Sequence, residues 1–358
     1  MIKKKVLIIG NSDYLISIER ILKRKKINYY FVGKNKPSFK LKKNNYIRLN
    51  YKNKKKLLII AKKKKITNII PDCNDTAYLT ASYLANKLNI QGYEPYKISR
   101  LLLNKKLFYE FCLKNKIKIP HFQYCKKKLL IKKKISFPIL IKPAQSYSGI
   151  GIIKINNKNE IDKICDKKKL LFVEFIKGQL YSHSCIVIKN SIKNSYFVKE
   201  YCLNYPYTVD FSKIVSANPT KLQKKIINEI NKIIKLLNIQ SGLIHTQYIV
   251  KKNRFYLIEI TRRLPGDFYS ELIKKSYNNN YYLKNYINNF LSEKYSFNLN
   301  KFNKSLRKNF FTKEKKRFKK IINPYKIFSK KKIYLNKNNI LKFDLNNKKK
   351  YIFIAKYK

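Results

Sequence analysis

The stretch Phe137-Pro-Ile-Leu-Ile-Lys142-Pro-Ala-Gln-Ser146-Tyr-Ser148-Gly149-Ile-Gly151 decides how this chain is read, together with Leu257-Ile-Glu259-Ile-Thr261-Arg262-Arg263-Leu-Pro-Gly266-Asp267 about a hundred residues later. In the first, an apolar strand ends in a lysine and runs into a loop that places Gly149 and Gly151 beside two serines, in a chain with only 8 glycines. Glycine has no Cβ, so its backbone can approach an anion and adopt positive φ, and successive N–H groups can converge on one phosphate. In the second, Glu259 ends an apolar run in a chain with only 19 Asp and Glu. An unpaired carboxylate there would be costly, and a cation is its natural partner. The first stretch suits a nucleotide triphosphate and the second suits its metal.

Around Glu259 the sequence predicts a hairpin, Leu243–Val250 and Arg254–Thr261 joined by Lys251-Lys-Asn253. Side chains alternate faces along a strand, so His245, Gln247, Glu259, Thr261 and Arg263 share one face, while Ile244, Tyr248, Val250, Ile258 and Ile260 form the apolar one. A turn centred near Lys252 sets His245 opposite Glu259, with Gln247 on the diagonal and within reach of one shared ion. Oxygen donors of this kind suit Mg2+, which is held by one or two protein oxygens plus substrate phosphates, with Mn2+ as an alternative.

The 83 Lys+Arg against 19 Asp+Glu give a formal charge of +64, which taken alone points to nucleic acid. Yet Lys, Asn, Ile, Tyr and Phe are inflated together while Gly, Pro and Trp are depleted, and the lysines are dispersed in runs such as Lys62–Lys65, Lys126–Lys128 and Lys348–Lys350. Arginine, which forks onto phosphates and guanines, is scarce. Lysine filling solvated positions is the simpler account, and no specific nucleic-acid partner is expected. A basic nucleic-acid-binding protein on a nucleotide-binding fold is the competing reading. No apolar run approaches the roughly 18 residues of a membrane span. The basic start Met1–Lys5 leads into the strand Val6–Ile9 and Gly10 rather than a signal-peptide core, so a cytoplasmic location is expected. The six cysteines (Cys73, Cys112, Cys125, Cys165, Cys185, Cys202) show no CxxC spacing, sit mostly in apolar settings and read as reduced core thiols rather than disulfides or a zinc site.

Hydrophobic periodicity gives βαβ units over residues 1–92: strands Val6–Ile9, Asn28–Val32, Tyr46–Leu49 and Ile66–Ile70, with helices between them. A parallel sheet follows from that order. Its first turn, Gly10-Asn-Ser, is not a dinucleotide fingerprint, and a packed sheet is the simpler reading. A helical bridge covers 93–136. A second sheet starts near Phe137, with strands Gly149–Ile155, Leu170–Phe175, Cys185–Ile188 and Tyr196–Tyr201 and a helix over Glu160–Lys167. Pro219 opens an amphipathic helix through Leu237, and from Glu293 onward alternation suggests short strands in a small appendage, with a disordered basic tail as the alternative that the aromatic content argues against.

Taken in order, these residues resemble the ATP-grasp superfamily, and within it the carboxylate–amine ligases. The resemblance covers about residues 1–292 and rests on Asn104-Lys105 with Ile119-Pro120, Lys142-Pro143 with Ser148-Gly149-Ile-Gly151, Val173-Glu174-Phe-Ile176-Lys-Gly178, Gln247, and Glu259-Ile-Thr261-Arg262-Arg263. It implies a preliminary Rossmann-like parallel α/β domain (1–92), then an ATP-grasp α+β fold in two lobes: a linker (93–136), a small lobe (137–202), a large lobe (203–292) and a Lys-rich appendage (293–358). It implies ATP as cofactor, with Lys105 and Lys142 on the nucleotide, Ser148, Gly149 and Gly151 as a loop over the phosphates, and Glu174, Phe175 and Ile176 holding adenine through backbone groups. Glu259, Gln247 and Thr261 would hold Mg2+, and Arg263 and Lys142 the phosphoryl group in transfer. His245 is either a base for the incoming amine or a hydrogen-bonded structural group; Asp267, Ser270 and Glu271 are candidates to meet a substrate. Small-molecule carboxylate and amine partners are implied, and a homodimer is compatible with it. The chain departs from the pattern at Leu180, Gln247 and Thr261, where the family often has Glu, a second carboxylate and Asn, so a catalytically degenerate nucleotide binder is a further alternative.

Overall fold

The computed structural model describes residues 3–37, 39, 41, 43–125, 136–143, 149, 151–163, 170–203, 206–215, 218–266, 268–297, 302–312, 340–345 and 348–356. Ser148 and Asp267 lie outside the described residues.

The first sheet has the order β3-β2-β1-β4, all parallel, from β1 (Lys5–Ile9), β2 (Asn28–Gly33), β3 (Tyr46–Arg48) and β4 (Asn68–Pro71). Helices α1 (Ile16–Arg24) and α2 (Lys54–Lys63) make the crossovers, and α3 (Asp75–Lys87) follows β4. Val6, Leu7, Ile8 and Ile9 are all buried, as expected of a strand covered on both faces. Asn74 caps α3, its side chain accepting from the Ala77 N–H. At the turn after β1, the Asp72 carboxylate accepts from the N–H groups of Asn11 (3.2 Å) and Ser12 (3.0 Å). The donors a dinucleotide phosphate would use there are already engaged, in keeping with a packed sheet.

Helices α4 (Tyr96–Leu103) and α5 (Lys105–Lys114) lead into a four-stranded sheet, order β5-β8-β6-β7: β5 (Phe122–Cys125), β6 (Ile139–Pro143), β7 (Ile153–Ile155) and β8 (Leu170–Glu174). The helix expected over Glu160–Lys167 is a 3₁₀ segment at Lys158–Lys163, and residues 164–169 lie outside the described set. The remaining strands make one eight-stranded sheet, order β13-β12-β9-β10-β11-β14-β16-β15. They are β9 (Gln179–Ile188), β10 (Ser191–Tyr201), β11 (Phe211–Ile214), β12 (Gly242–Lys251), β13 (Arg254–Thr261), β14 (Ser305–Thr312), β15 (Ile340–Leu345) and β16 (Lys348–Lys356). Two expectations need correcting. β9 and β10 pair with β12 and β11 rather than with the small sheet, so the lobe boundary read at residue 202 falls near Gly178. The C-terminal strands are no separate appendage: β14 pairs with β11 and so satisfies an edge that would otherwise be open.

α6 (Lys221–Leu237) packs Ile226, Ile230, Ile233 and Ile234 into a core shared with Phe108, Tyr109 and Cys112 of α5 and one face of the large sheet. Its start is set by a capping box between Thr220 and Gln223, one residue past the proline on which the sequence reading placed it. α7 (Tyr269–Tyr277) and α8 (Tyr281–Leu291) pack on the other face, in one core with the parallel sheet. Among the described cysteines, Cys112 and Cys185 are buried free thiols, while Cys202 is exposed rather than apolar in setting.

A buried ion pair joins the halves: Arg262 Nε donates to Glu94 Oε1 at 2.5 Å, its side chain 2% exposed and that of Glu94 0%. Its other nitrogens donate to the carbonyls of Leu243, Gln240 and Ser241. Removing one partner leaves the other charge buried and unpaired. Glu94→Ala is therefore expected to lower the unfolding free energy by about 3 kcal/mol or more, read as a reduced urea midpoint; a midpoint within error of wild type would contradict it.

Candidate active site

Lys142 ends β6 with its side chain turned inward, 6% exposed. It is the one buried lysine among the described residues. Burial first, then the charge of Lys105, pushes its ammonium down to about 8, and the Glu259 carboxylate opposes the drop. Lys105 and Glu259 are thus near enough for their charges to act on Lys142. Lys105 opens α5 just after Asn104, whose side chain caps the helix by accepting from the Leu107 N–H. Lys105 and Glu259 line a small cavity with Asp75, Phe108, Ile258 and Ile260. Beyond β6, Gly149 and Gly151 have φ of 72° and 75°. A Cβ on Gly149 would stand 2.4 Å from the Tyr207 carbonyl oxygen, so only glycine fits there.

The hairpin register differs from the expected one. Lys251 pairs with Arg254 and Tyr248 with Leu257, but one extra residue, Ile258, is then accommodated on β13, and Gln247 pairs with Glu259 and His245 with Thr261. The turn is the two residues Lys252-Asn253, Lys252 at φ 53°, rather than three, which moves the register by one; the bulge moves it by one more. Glu259 thus faces Gln247 directly instead of His245. Ile258 leaves the apolar face for the cavity, and Leu257 and Phe255 take its place in the core.

Gln247 Nε2 donates to Glu200 Oε2 at 2.7 Å, and Ser182 Oγ donates to Glu200 Oε1 at 3.0 Å. Arg263 donates from Nε to Asp75 Oδ1 at 2.7 Å and from Nη1 to the Leu264 carbonyl. His245 Nδ1 lies 2.7 Å from Ser184 Oγ, with the ring edge-on to Tyr269 at 5.2 Å. Burial, then Arg263, His183 and Arg307, hold its imidazolium well below the ordinary histidine range. A histidine so disfavoured as a cation is a poor base, and of the two roles read for it the hydrogen-bonded one fits.

Three residues absent from the sequence reading belong here: Glu200 on β10, Tyr269 opening α7, and Arg307 on β14. Tyr269 OH lies 3.1 Å from Ser182 Oγ, and Arg307 Nη2 donates to Ser212 Oγ at 2.8 Å with its guanidinium 5.8 Å from the Tyr269 ring centre. Of the neighbours read instead, Glu271 accepts from Ser17 on α1 and meets Lys274, because two steps along a helix turn a side chain about 200° away. Ser270 is half-buried beside it. At the hinge, the N–H groups of Glu174 and Phe175 are taken by the carbonyls of His121 and Pro138.

Residues 103–267 match the family described as ATP-grasp domain. Over that segment, which is less than half of the chain, the sequence is similar to this family. The chain is also 31% identical over 159 residues to a D-alanine--D-alanine ligase of Prochlorococcus marinus (strain MIT 9312), covering 39% of this chain and 43% of that protein. The chain thus matches less than half the length of this curated relative. Among solved structures, an L-amino acid ligase from Bacillus licheniformis aligns with a TM-score of 0.74 and 15% identity, over 99% of this chain and 93% of the other. A carboxyaminoimidazole ribonucleotide synthase from Aspergillus clavatus, complexed with ATP, aligns with a TM-score of 0.76 and 12% identity, over 99% and 94%. At such identity these two establish the ATP-grasp fold in two lobes. Among the described residues no helix is long and apolar enough to cross a membrane.

A lysine depressed to about 8 by burial regains its proton when a polyanion arrives beside it. Below pH 8 Lys142 is charged in the free protein; above it the ammonium is lost and must be restored on binding. Calorimetry of an ATP analogue in buffers of differing ionisation heat is expected to show proton uptake rising toward about one per site above pH 8. Lys142→Met should abolish it. PH-independent uptake would contradict the placement of this lysine against the ligand.

Proposed function

We propose that this protein is an ATP-dependent carboxylate–amine ligase, which activates a small carboxylate as an acyl phosphate and joins it to an amine. One observation carries the reading: Lys142 at the end of the small-sheet strand and Glu259 on the large-sheet hairpin bear on the same space, alongside Lys105. A triphosphate and its cation would lie between these residues. Ligation of small carboxylates is also what the names of the D-alanine--D-alanine ligase and L-amino acid ligase relatives describe.

The donor set suits both groups. Two lysines, one of them buried, match phosphate; the Glu259 carboxylate facing the Gln247 amide, with Thr261 next on the strand, matches a hard cation that takes oxygen ligands. Bound there, Mg2+ would neutralise part of the triphosphate charge. Lys105 and Lys142 hold the phosphates, and Ser148, Gly149 and Gly151 supply further contacts to them. Ile176 offers adenine the N–H that Glu174 and Phe175 give to neighbouring carbonyls. A carboxylate is a poor acyl donor because its leaving group would be oxide; attack on the γ-phosphoryl group replaces that with phosphate. Lys142 and Arg263 offset charge on the phosphoryl oxygens during transfer. The amine then adds to the acyl carbon, phosphate leaves, and the amine's proton passes to solvent or phosphate. His245 orients through Ser184 rather than taking that proton. Asp267, four residues after Arg263 in the sequence, is a substrate-side candidate, as is Tyr269. A cytoplasmic setting, where thiols stay reduced, belongs to the same reading.

The test is ADP release with pairs of amino acids and other small carboxylates and amines. Release that needs Mg2+ and both substrates, and falls by about a hundredfold or more in Glu259→Ala and Arg263→Ala, is expected. Binding of an ATP analogue without turnover for any pair would favour a degenerate nucleotide binder. Turnover undiminished in Glu259→Ala would overturn the site.

A further inference from the structure

The metal strand of this chain carries an amide at Gln247 where a second carboxylate would give a divalent cation more charge, and the sheet supplies that charge from elsewhere. Glu200 is 3% exposed, in a chain with few carboxylates to bury. It lies on β10, separated from β12 by β9, and a polar row crosses these strands. Glu200 accepts from Ser182 of β9; Ser182 pairs with Gln247 of β12; Gln247 pairs with Glu259 of β13. The row runs on the other way through Ser212 of β11, paired with Glu200, to Arg307 of β14.

The chemistry of the Glu200–Gln247 contact fixes more than a hydrogen bond. An ionised carboxylate accepts only, so the arm of the amide that meets Glu200 Oε2 at 2.7 Å must be Nε2. The amide is planar with one donor arm and one acceptor arm. Holding Nε2 against β10 therefore commits Oε1 to the arm turned away from Glu200, and the strand on that side carries Glu259. A glutamine free to flip would present an NH2 to a cation half the time; this one cannot.

We propose that Glu200 is a positioning residue for the cation: it locks the Gln247 amide with its oxygen offered to the metal, and adds the negative charge that position 247 lacks. This rests on the hairpin being the metal site of the ligase reading. A carboxylate behind a ligand stands as outer-sphere partners do at metal centres, where loss of one weakens metal affinity by about 10–100-fold.

The experiment is Mn2+ titration of the protein–ADP complex, with free Mn2+ followed by electron paramagnetic resonance, beside the affinity for ADP without metal. Wild type should bind Mn2+ with ADP. Glu200→Gln, which keeps shape and can still accept from Ser182, should weaken Mn2+ by about tenfold while leaving metal-free ADP affinity unchanged. The double variant Glu200→Gln/Gln247→Glu moves the carboxylate from β10 to β12, and should bring Mn2+ affinity back close to wild type. A residue needed only for folding would not be rescued by that exchange. Unchanged Mn2+ binding in Glu200→Gln, or no recovery in the double variant, overturns the inference and leaves the ligase reading standing. No Mn2+ binding by wild type with ADP brings down the metal site itself, and this inference with it.

Discussion

A single extra residue on β13 governs what the site contains. Without the bulge at Ile258, Phe255, Leu257, Glu259 and Thr261 would share one face by strict alternation, and two apolar side chains would stand in line with two polar ones. With it, Phe255 and Leu257 join Tyr248 and Ile260 in the core against α6, while Glu259 and Thr261 meet Gln247 and His245. One strand can then serve a hydrophobic core at its start and an ion at its end. The cost is one residue out of the ladder, and that residue, Ile258, is used to wall the cavity beside Glu259.

The next two residues extend this sorting beyond the sheet. Arg262 and Arg263 are adjacent, and each finds a carboxylate from the first hundred residues: Glu94 for one and Asp75 for the other. The environments differ. Arg262 has three further contacts, all to backbone carbonyls, and is closed on all sides, a clamp between halves of the chain. Arg263 stands between Asp75 and Glu259, both of which favour its charge, and so looks into the site. The parallel domain is therefore more than a preface, since α3 begins at the residue that aims this arginine.

Much of this was legible before any coordinates. The parallel sheet followed from βαβ order, and Gly149 and Gly151 from their scarcity. Lys142 followed from its place at a strand end, and Glu259 with Gln247 from alternation along the hairpin. What escaped has one physical origin: contacts across strands far apart in sequence. Glu200, Tyr269 and Arg307 meet the hairpin only because β9, β10, β11, β12 and β14 lie side by side. Nothing local marks Glu200 in Phe197-Val-Lys-Glu200-Tyr as different from a solvated residue. The register failed for a related reason, since a bulge is invisible to a period-two count. Arg307 was missed because its lysine-rich surroundings disguised a strand of the central sheet as an appendage.

The basic composition also takes a different meaning beside the site. A charge of +64 spread over exposed lysines creates a field that any polyanion feels, but salt screens it within about 8–10 Å, so it speeds encounter without discriminating. Discrimination requires charges that water cannot shield. Those are few among the described residues: Lys142 among the lysines, Arg262, Arg263 and Arg307 among the arginines, and Glu19, Asp72, Glu94, Glu200 and Asp210 among the carboxylates. Each buried carboxylate has a partner: the Tyr29 hydroxyl and Lys23 for Glu19, backbone N–H groups for Asp72 and Asp210, Arg262 for Glu94 and the Gln247 amide for Glu200. Among the described residues lysine fills solvated positions, where the identity of a charge matters little, and Lys142 is the one that is buried. A short list of buried ionic groups in so lysine-rich a chain is thus a map of the positions its chemistry and its packing could not give up.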